Sequence, residues 1–316
     1  MRWISSTSRA AADFNRTPFA FSHGLAGHPL FERDRLVQLG ASILAKGDPK
    51  NFSHYHGSQV SKGTDLTTRL ARERVADAIA RVDELGSWVK LTNADEVDRD
   101  YDALLRELLA DFEELSGVAF RREITWRSAT IFIAAPKTFT PYHIDHTPNF
   151  LMQISGDKEV NLFNQEDRTV LSEDEIERFY AGDDCAAAYR EEVQKKAYVF
   201  PLTPGLGVHH PRLAPHWVRN GAQISVALSI GFCMRSLDVQ ARVYQVNHYL
   251  RRAGMQPSPY GLHPLRDKAK MLALGLVSVD EPKSYRETIC SGIDRIRASA
   301  DLARRILSSS KRSTAA

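Results

Sequence analysis

Cysteine is scarce in this chain, and the three present, Cys185, Cys233 and Cys290, are far apart, odd in number and in no C-x-x-C pair. Such spacing builds neither a disulfide framework nor a zinc ribbon, so a reducing cytoplasm is the expected compartment. Long apolar runs are missing too. Nothing approaches the ~18 residues of a membrane span, and the start MRWISSTSRAAADF holds no signal-length apolar stretch, so no membrane association is expected. Nor does one charge dominate: 42 Lys and Arg against 39 Asp and Glu leave a surplus of +3, too small to call for a nucleic-acid partner. The 43% apolar and 26% charged residues among 316 suffice for one sizeable core with decorations.

Three regions follow from texture. Residues 1–117 read as helical and irregular structure packed on a later domain. Their first ~60 positions show little periodicity and receive no chemistry. Leu66, Leu70, Val75, Ile79, Val82 and Leu85 then recur at helical spacing up to Gly86. A second helix is expected over 95–115, with Tyr101, Leu104, Leu105, Leu108 and Phe112 on one side and Gly117 beyond its end. Residues 118–235 change to short β-branched and aromatic runs, at 124–135, 150–154, 159–163, 197–200 and 222–230. Many short strands with Pro/Gly turns favour a jelly roll over a parallel sheet. In the last run Ile224, Val226, Leu228 and Ile230 alternate with Gln223, Ser225, Ala227 and Ser229, as in a strand packed on one face and lining a cavity with the other. An acidic insertion, 166–195, opens a short helix at a capping box, Ser172-Glu173-Asp174-Glu175, and is placed to fold over a barrel mouth. Residues 236–316 turn helical again, with helices expected over 238–253 and near 285–306.

Chemistry concentrates in two segments. In Thr140-Pro-Tyr-His143-Ile-Asp145, residues two apart on a strand point the same way, so one imidazole and one carboxylate can grip an ion. That pair suits a borderline metal such as Fe(II) but needs a third ligand. A His-x-Asp by itself is more often a surface or turn pair. The second segment, Pro204 to Asn220, leads from a Gly-containing turn through a short strand to the Pro-flanked His216, a candidate third ligand.

Together the two segments resemble the JmjC/cupin family of Fe(II)- and 2-oxoglutarate-dependent oxygenases, the hypoxia-inducible-factor asparaginyl hydroxylases in particular. Lys158 stands thirteen residues after Asp145, and His216 eleven after Gly205, as in that family. The resemblance covers roughly residues 126–231 and implies a double-stranded β-helix, with helical additions at both ends, holding iron at His143, Asp145 and His216. It further implies 2-oxoglutarate contacts at Lys158, Thr140 and Asn149, with O2 as the other cosubstrate. Lys158 would pair with the far carboxylate of 2-oxoglutarate, a contact of about 4 kcal/mol in a partly dry pocket before desolvation. Otherwise it is a solvated lysine after the turn 155–157. Since the lysine ammonium is a compact charge, the Thr140 hydroxyl would help to orient that carboxylate.

Of His209 and His210 one should face the cavity, to touch substrate or support a ligand, although a packed structural role is as good a reading. His146 has the same two readings, and Asn220 reads as structural with a cosubstrate contact as the lesser alternative. The implied activity is a 2-oxoglutarate-dependent dioxygenase that hydroxylates a C–H bond of a protein side chain or a small molecule, releasing succinate and CO2. The competing classes are a metal-dependent cupin enzyme that needs no 2-oxoglutarate and a non-catalytic JmjC-like regulatory or binding module. A homodimer through the C-terminal helices is a possible further partnership.

Overall fold

The structure is a computed structural model that describes residues 2–5, 10–56 and 73–275. The described residues divide into two compact units, one made of those up to 172 together with 187–233, the other of 173–186 together with 234–275.

The first unit is built from strands β1 (Ile4–Ser5), β2 (Phe19–His23), β3 (Phe52–His56), β4 (Ser87–Leu91), β5 (Ile124–Ala134), β6 (Phe139–His143), β7 (Asn149–Ser155), β8 (Lys158–Leu162), β9 (Tyr198–Leu202), β10 (Leu206–His210) and β11 (His216–Asn220), with β12 (Ser225–Met234) running to its boundary. They form an eight-stranded sheet in the order β1-β2-β10-β7-β12-β5-β4-β3 and a four-stranded sheet in the order β6-β11-β8-β9. The two inner faces meet. Leu151, Val208 and Ala227 of the large sheet share a buried cluster with Val160, Leu162 and Leu202 of the small one. The expected jelly roll is therefore the fold, with helices added before and after it.

The N-terminal region departs from the expectation. Besides its helices, the described part of residues 1–117 contributes β1 and β2 to one end of the large sheet and β3 and β4 to the other. FAFSH and FSHYH are too short and too mixed in polarity to announce themselves, and become strands by pairing, β2 with β10 and β3 with β4. The helix expected over 95–115 is present as Arg99–Ser116. It starts later because Asp98, in an extended conformation, caps it by accepting from the Asp100 N–H at 3.1 Å. Gly117, at φ 69°, ends it. Of the helix read before Gly86 the described part is Glu73–Ala80; Leu66 and Leu70 lie outside the described residues.

That long helix seals the outer face of the large sheet. Phe112 stacks on Phe150 of β7 with ring centroids 3.6 Å apart, and Phe150 also meets Phe232 of β12 and the ring of His209. The alternation read over 223–230 holds from Ser225, where β12 begins, with Val226, Leu228 and Ile230 outward against this apolar layer and Ala227 inward, while Gln223 and Ile224 precede the strand. A bulge between Val226 and Ala227 bends the strand there. Between β7 and β8, Gly156 takes φ 68° and has no room for a side chain, since a Cβ would lie 2.4 Å from the Ile224 carbonyl oxygen. This tight turn delivers Lys158 to the start of β8.

The insertion, read as placed to fold over a barrel mouth, is shared between the two units. Residues 173–186 belong to the second unit, whereas Val193 and Ala197 pack with Phe163, Val170 and Trp217 in the first. There Gln194 accepts from the Trp217 indole at 3.0 Å and donates to Asn161 at 2.7 Å, which fastens the segment to the small sheet.

The second unit comprises helices Glu173–Tyr180, Arg235–Arg252 and Pro264–Gly275. Its buried Glu177 is held by a two-point pair with Arg251 at 2.8 and 2.9 Å. The helix read near 285–306 lies outside the described residues. Among the described residues no helix is long and apolar enough to cross a membrane.

Two buried histidines make the first unit acid-sensitive. His23 donates from Nε2 to the Leu206 carbonyl at 3.2 Å and accepts from the Leu25 N–H, and burial lowers its pKa to about 4. His209 is fully enclosed, and burial brings it down to about 3. Both folded values lie below the unfolded value near 6.5, so their stability contribution is complete above that pH and is lost as pH falls toward 4 and 3. Between pH 7.5 and 5.5 the pair should lower unfolding free energy by about 3 kcal/mol, read as a fall in the urea midpoint. Imidazole resonances of either residue titrating near pH 6.5 in the native protein would refute this.

Candidate metal and dicarboxylate site

β11 organises the site because it pairs with a strand on each side. His216 lies opposite His143 of β6 and Leu162 of β8, while Asn220, four residues on, lies opposite Lys158. Inward residues therefore fall in rows: His143–His216–Leu162, then Thr140–Val218–Val160, then Asn220–Lys158. A bulge between His216 and Val218 shifts the β6 register, so Thr140 and His143, three apart, occupy the same face. Regular alternation would have set them on opposite faces.

β6 ends at His143, so Asp145 is held beyond the strand, where its carbonyl accepts from the Leu213 N–H at 2.9 Å. Asp145 Oδ2 lies 3.8 Å from His143 Nε2 and 3.6 Å from His216 Nε2. Donors sharing one ion through ~2.1 Å bonds sit about 3.0 to 3.4 Å apart, so modest contraction would close the set. The tautomers are arranged for it: His143 Nδ1 donates to the Pro141 carbonyl at 2.7 Å and His216 Nδ1 to the Ala214 carbonyl at 2.9 Å. That leaves both Nε2 atoms as the lone-pair nitrogens. Two imidazoles and one carboxylate on one side of an ion form a facial set suited to Fe(II), with positions left for other ligands.

Lys158 is 7% exposed, and burial alone lowers its pKa to about 8. Its ammonium has no hydrogen-bond or ion-pair partner among the described residues. A solvated lysine after a turn is thereby excluded. Its strand position lies four residues along the sheet from the His216 row, about 13 Å between backbones at ~3.3 Å per residue. The lysine stem can shorten that interval, so a cation and a metal grip can face two ends of one small anion.

The opposite wall belongs to the large sheet. Asn149 pairs with His210 of β10 and Gly231 of β12 in its first row. Asn149 Oδ1 and both ring nitrogens of His210 are buried without partners. His210 is thus the inward member of the histidine pair. Its ring meets His216 edge-on at 4.8 Å, and burial keeps it neutral. His209 faces outward, among Phe14, Phe19 and Phe150, with both nitrogens bonded. His146 is buried, and burial with the Arg212 charge holds it neutral.

Asn220 ties β11 to the entrance of β6, donating to the Thr138 hydroxyl at 2.6 Å, with its Oδ1 unpartnered. Gln153 was not singled out by its sequence context, yet it shares the inward face of β7 with Asn149 and Leu151. It donates to Ser225 Oγ at 3.0 Å, and its Oε1 is unpartnered. Period-two spacing from Asn149 is the signal that points to it.

A family model described as a cupin-like domain matches residues 50–264. The chain belongs to this cupin-like family. No curated protein matches it. Solved structures similar to this cupin-like chain include YcfD, a ribosomal oxygenase from Escherichia coli, at 15% identity over 89% of this chain and 69% of that one, with TM-score 0.43. The same protein in complex with cobalt and 2-oxoglutarate gives 14% identity over 92% and 72%, with TM-score 0.44. DMSP lyase DddQ from Ruegeria pomeroyi DSS-3 gives 16% identity over 34% and 38%, with TM-score 0.22.

In this cupin-like chain an unpaired buried cation has a measurable signature. The folded pKa of Lys158, about 8, lies below the unfolded value of 10.5, so stability should rise with pH between them as the buried charge is discharged. At pH 7 Lys158→Met should stabilise the metal-free protein by on the order of 3 kcal/mol and flatten that rise. A lower urea midpoint for the variant at pH 7 would show that Lys158 is paired.

Proposed function

We propose that this chain is an Fe(II)- and 2-oxoglutarate-dependent dioxygenase that hydroxylates a C–H bond of a protein side chain or small molecule. Per turnover, O2 and 2-oxoglutarate are consumed, succinate and CO2 are released, and one oxygen atom enters the product. The observation that carries the reading is Lys158, a buried lysine whose ammonium has no partner among the described residues, on the same inner face as a two-histidine, one-carboxylate set. A cupin that grips its substrate through a metal alone has no use for a cation held there at a cost in stability.

His143, Asp145 and His216 would hold the metal, which when bound supplies the redox chemistry that couples O2 to 2-oxo acid oxidation. The chain's own residues set the rest. The backbone carbonyls of Pro141 and Ala214 fix both imidazoles with Nε2 toward the ion. Lys158 attracts the far carboxylate of the dicarboxylate, with Thr140 in the adjacent row and Asn149 on the facing wall. Leu151, Val160, Leu162 and Val208 exclude water between those ends, which strengthens each charge contact. The cytoplasm is the proposed location.

The test is succinate release in the presence of Fe(II), 2-oxoglutarate and ascorbate, with His143→Ala and Asp145→Ala reducing it to background. Lys158→Met should weaken 2-oxoglutarate binding to the Co(II)-loaded protein by about 100-fold, the equivalent of one charged hydrogen-bonded contact, while leaving binding of a 2-oxo monoacid such as pyruvate nearly unchanged. Equal loss for both acids, or full turnover in either triad variant, would overturn the assignment.

A further inference from the structure

Asn15, near the start of the described chain, makes a contact that reaches the metal ligands through one short backbone link and its hydrogen bonds. After the short helix Ala10–Asp13, Asn15 adopts φ 54°, a left-handed conformation that asparagine tolerates better than most residues. From there its N–H donates to His209 Nε2 at 3.0 Å, and its side-chain Oδ1 accepts from the Arg212 N–H at 2.8 Å. His209 donates from Nδ1 to the Asn149 carbonyl at 3.0 Å, and its ring stacks on that of Phe14 at 5.0 Å. Asn15 thus bonds to two places almost two hundred residues away, the outer side of β10 and the link 211–215 between β10 and β11.

That link carries the orientation of the site. The Leu213 N–H holds the Asp145 carbonyl at 2.9 Å, with Leu213 itself at φ 61°, and the Ala214 N–H closes a turn onto the Pro211 carbonyl at 3.1 Å. The Ala214 carbonyl then fixes the His216 imidazole through Nδ1. Two of the three candidate ligands are therefore oriented by backbone groups one and two residues from Arg212.

We propose that Asn15 is a positioning residue for the triad: its side chain pins the 211–215 link, which in turn holds His216 and Asp145 in metal-binding geometry. This rests on the triad being a metal site and is independent of what the enzyme oxidises. Asn15→Gly is an informative variant, because glycine accepts the left-handed backbone and keeps the N–H bond to His209, removing only the bond to Arg212. Asn15→Asp keeps an acceptor and serves as the rescue.

Metal-free full-length protein is titrated with Co(II), followed by visible absorbance and calorimetry, with amide hydrogen exchange measured at Arg212 and Leu213. The expected result is one tight Co(II) per wild-type chain, about tenfold weaker binding in Asn15→Gly, as for residues that orient metal ligands, and faster exchange at both amides. Asn15→Asp should bind as wild type does. Unchanged Co(II) affinity in Asn15→Gly, with or without a lower Tm, overturns the proposal and leaves Asn15 a structural residue. If wild type binds no Co(II), the metal reading itself fails, a result distinct from equal affinities. Should Asn15→Gly not fold, Asn15→Ser, whose shorter side chain cannot span to Arg212, is read by the same criteria.

Discussion

The antiparallel registration of β11 between β6 and β8 is the constraint on which the site depends. Opposite His216 it sets His143, and four residues later opposite Asn220 it sets Lys158. A slip of one residue would turn His216, Val218 and Asn220 outward together, since a strand's side chains alternate strictly. Several features prevent such a slip. Asn220 binds Thr138 through both its side chain and its backbone N–H, and Gly156 closes β7 onto β8 with no slack. On the other side of β11 the indole of Trp217 is bonded to Gln194 of the covering segment. Inward Asn220 and outward Trp217 thus both help to hold the register of the strand.

The same division governs the large sheet. Its outer face carries Phe150, Phe232 and His209 in an aromatic layer with Phe112 of the covering helix, and its inner face sets Asn149, Gln153, Ser225 and Gly231 beside the apolar Leu151 and Val208. Stability is gathered on one side and chemistry placed on the other. The histidine pair shows this at single-residue resolution. His209 has both nitrogens bonded and belongs to the stacked layer, whereas His210, the next residue, has neither bonded and faces the triad.

Much of this was legible in the sequence, where the signal was local. His143 and Asp145 are two apart, the β12 alternation is clean, and the helix before Gly117 has an unbroken apolar stripe. The position of Lys158 rested on a resemblance, and its burial without a partner gives that position a physical reason. What could not be read depends on contacts between distant segments. β2 and β3 have no strand-like pattern strong enough to stand alone and form because β10 and β4 offer open edges. The inward placement of Thr140 follows from a bulge that no residue type in β6 announces. The Asn15 contacts join segments whose sequences bear no mark of one another, and the insertion read as able to fold over the barrel mouth is divided between two units, its later part held by Phe163, Val170 and Trp217.

An interior of this kind is costly for the free protein. Asn149, Gln153, His210 and Asn220 each bury a polar atom without a partner, and each such atom is worth about 1 to 3 kcal/mol of lost stability. Adding a cation with a depressed pKa at Lys158 compounds the cost. These atoms line facing rows of the two sheets, so a fold selected only for stability would have replaced several with the Leu and Val found elsewhere between them. Their grouping on facing rows of the inner faces is an arrangement that a bound polar ligand would complement. A polar, doubly charged ligand held between Lys158 and the triad would meet these groups in place of water, and its binding energy would return the stability the empty fold forgoes.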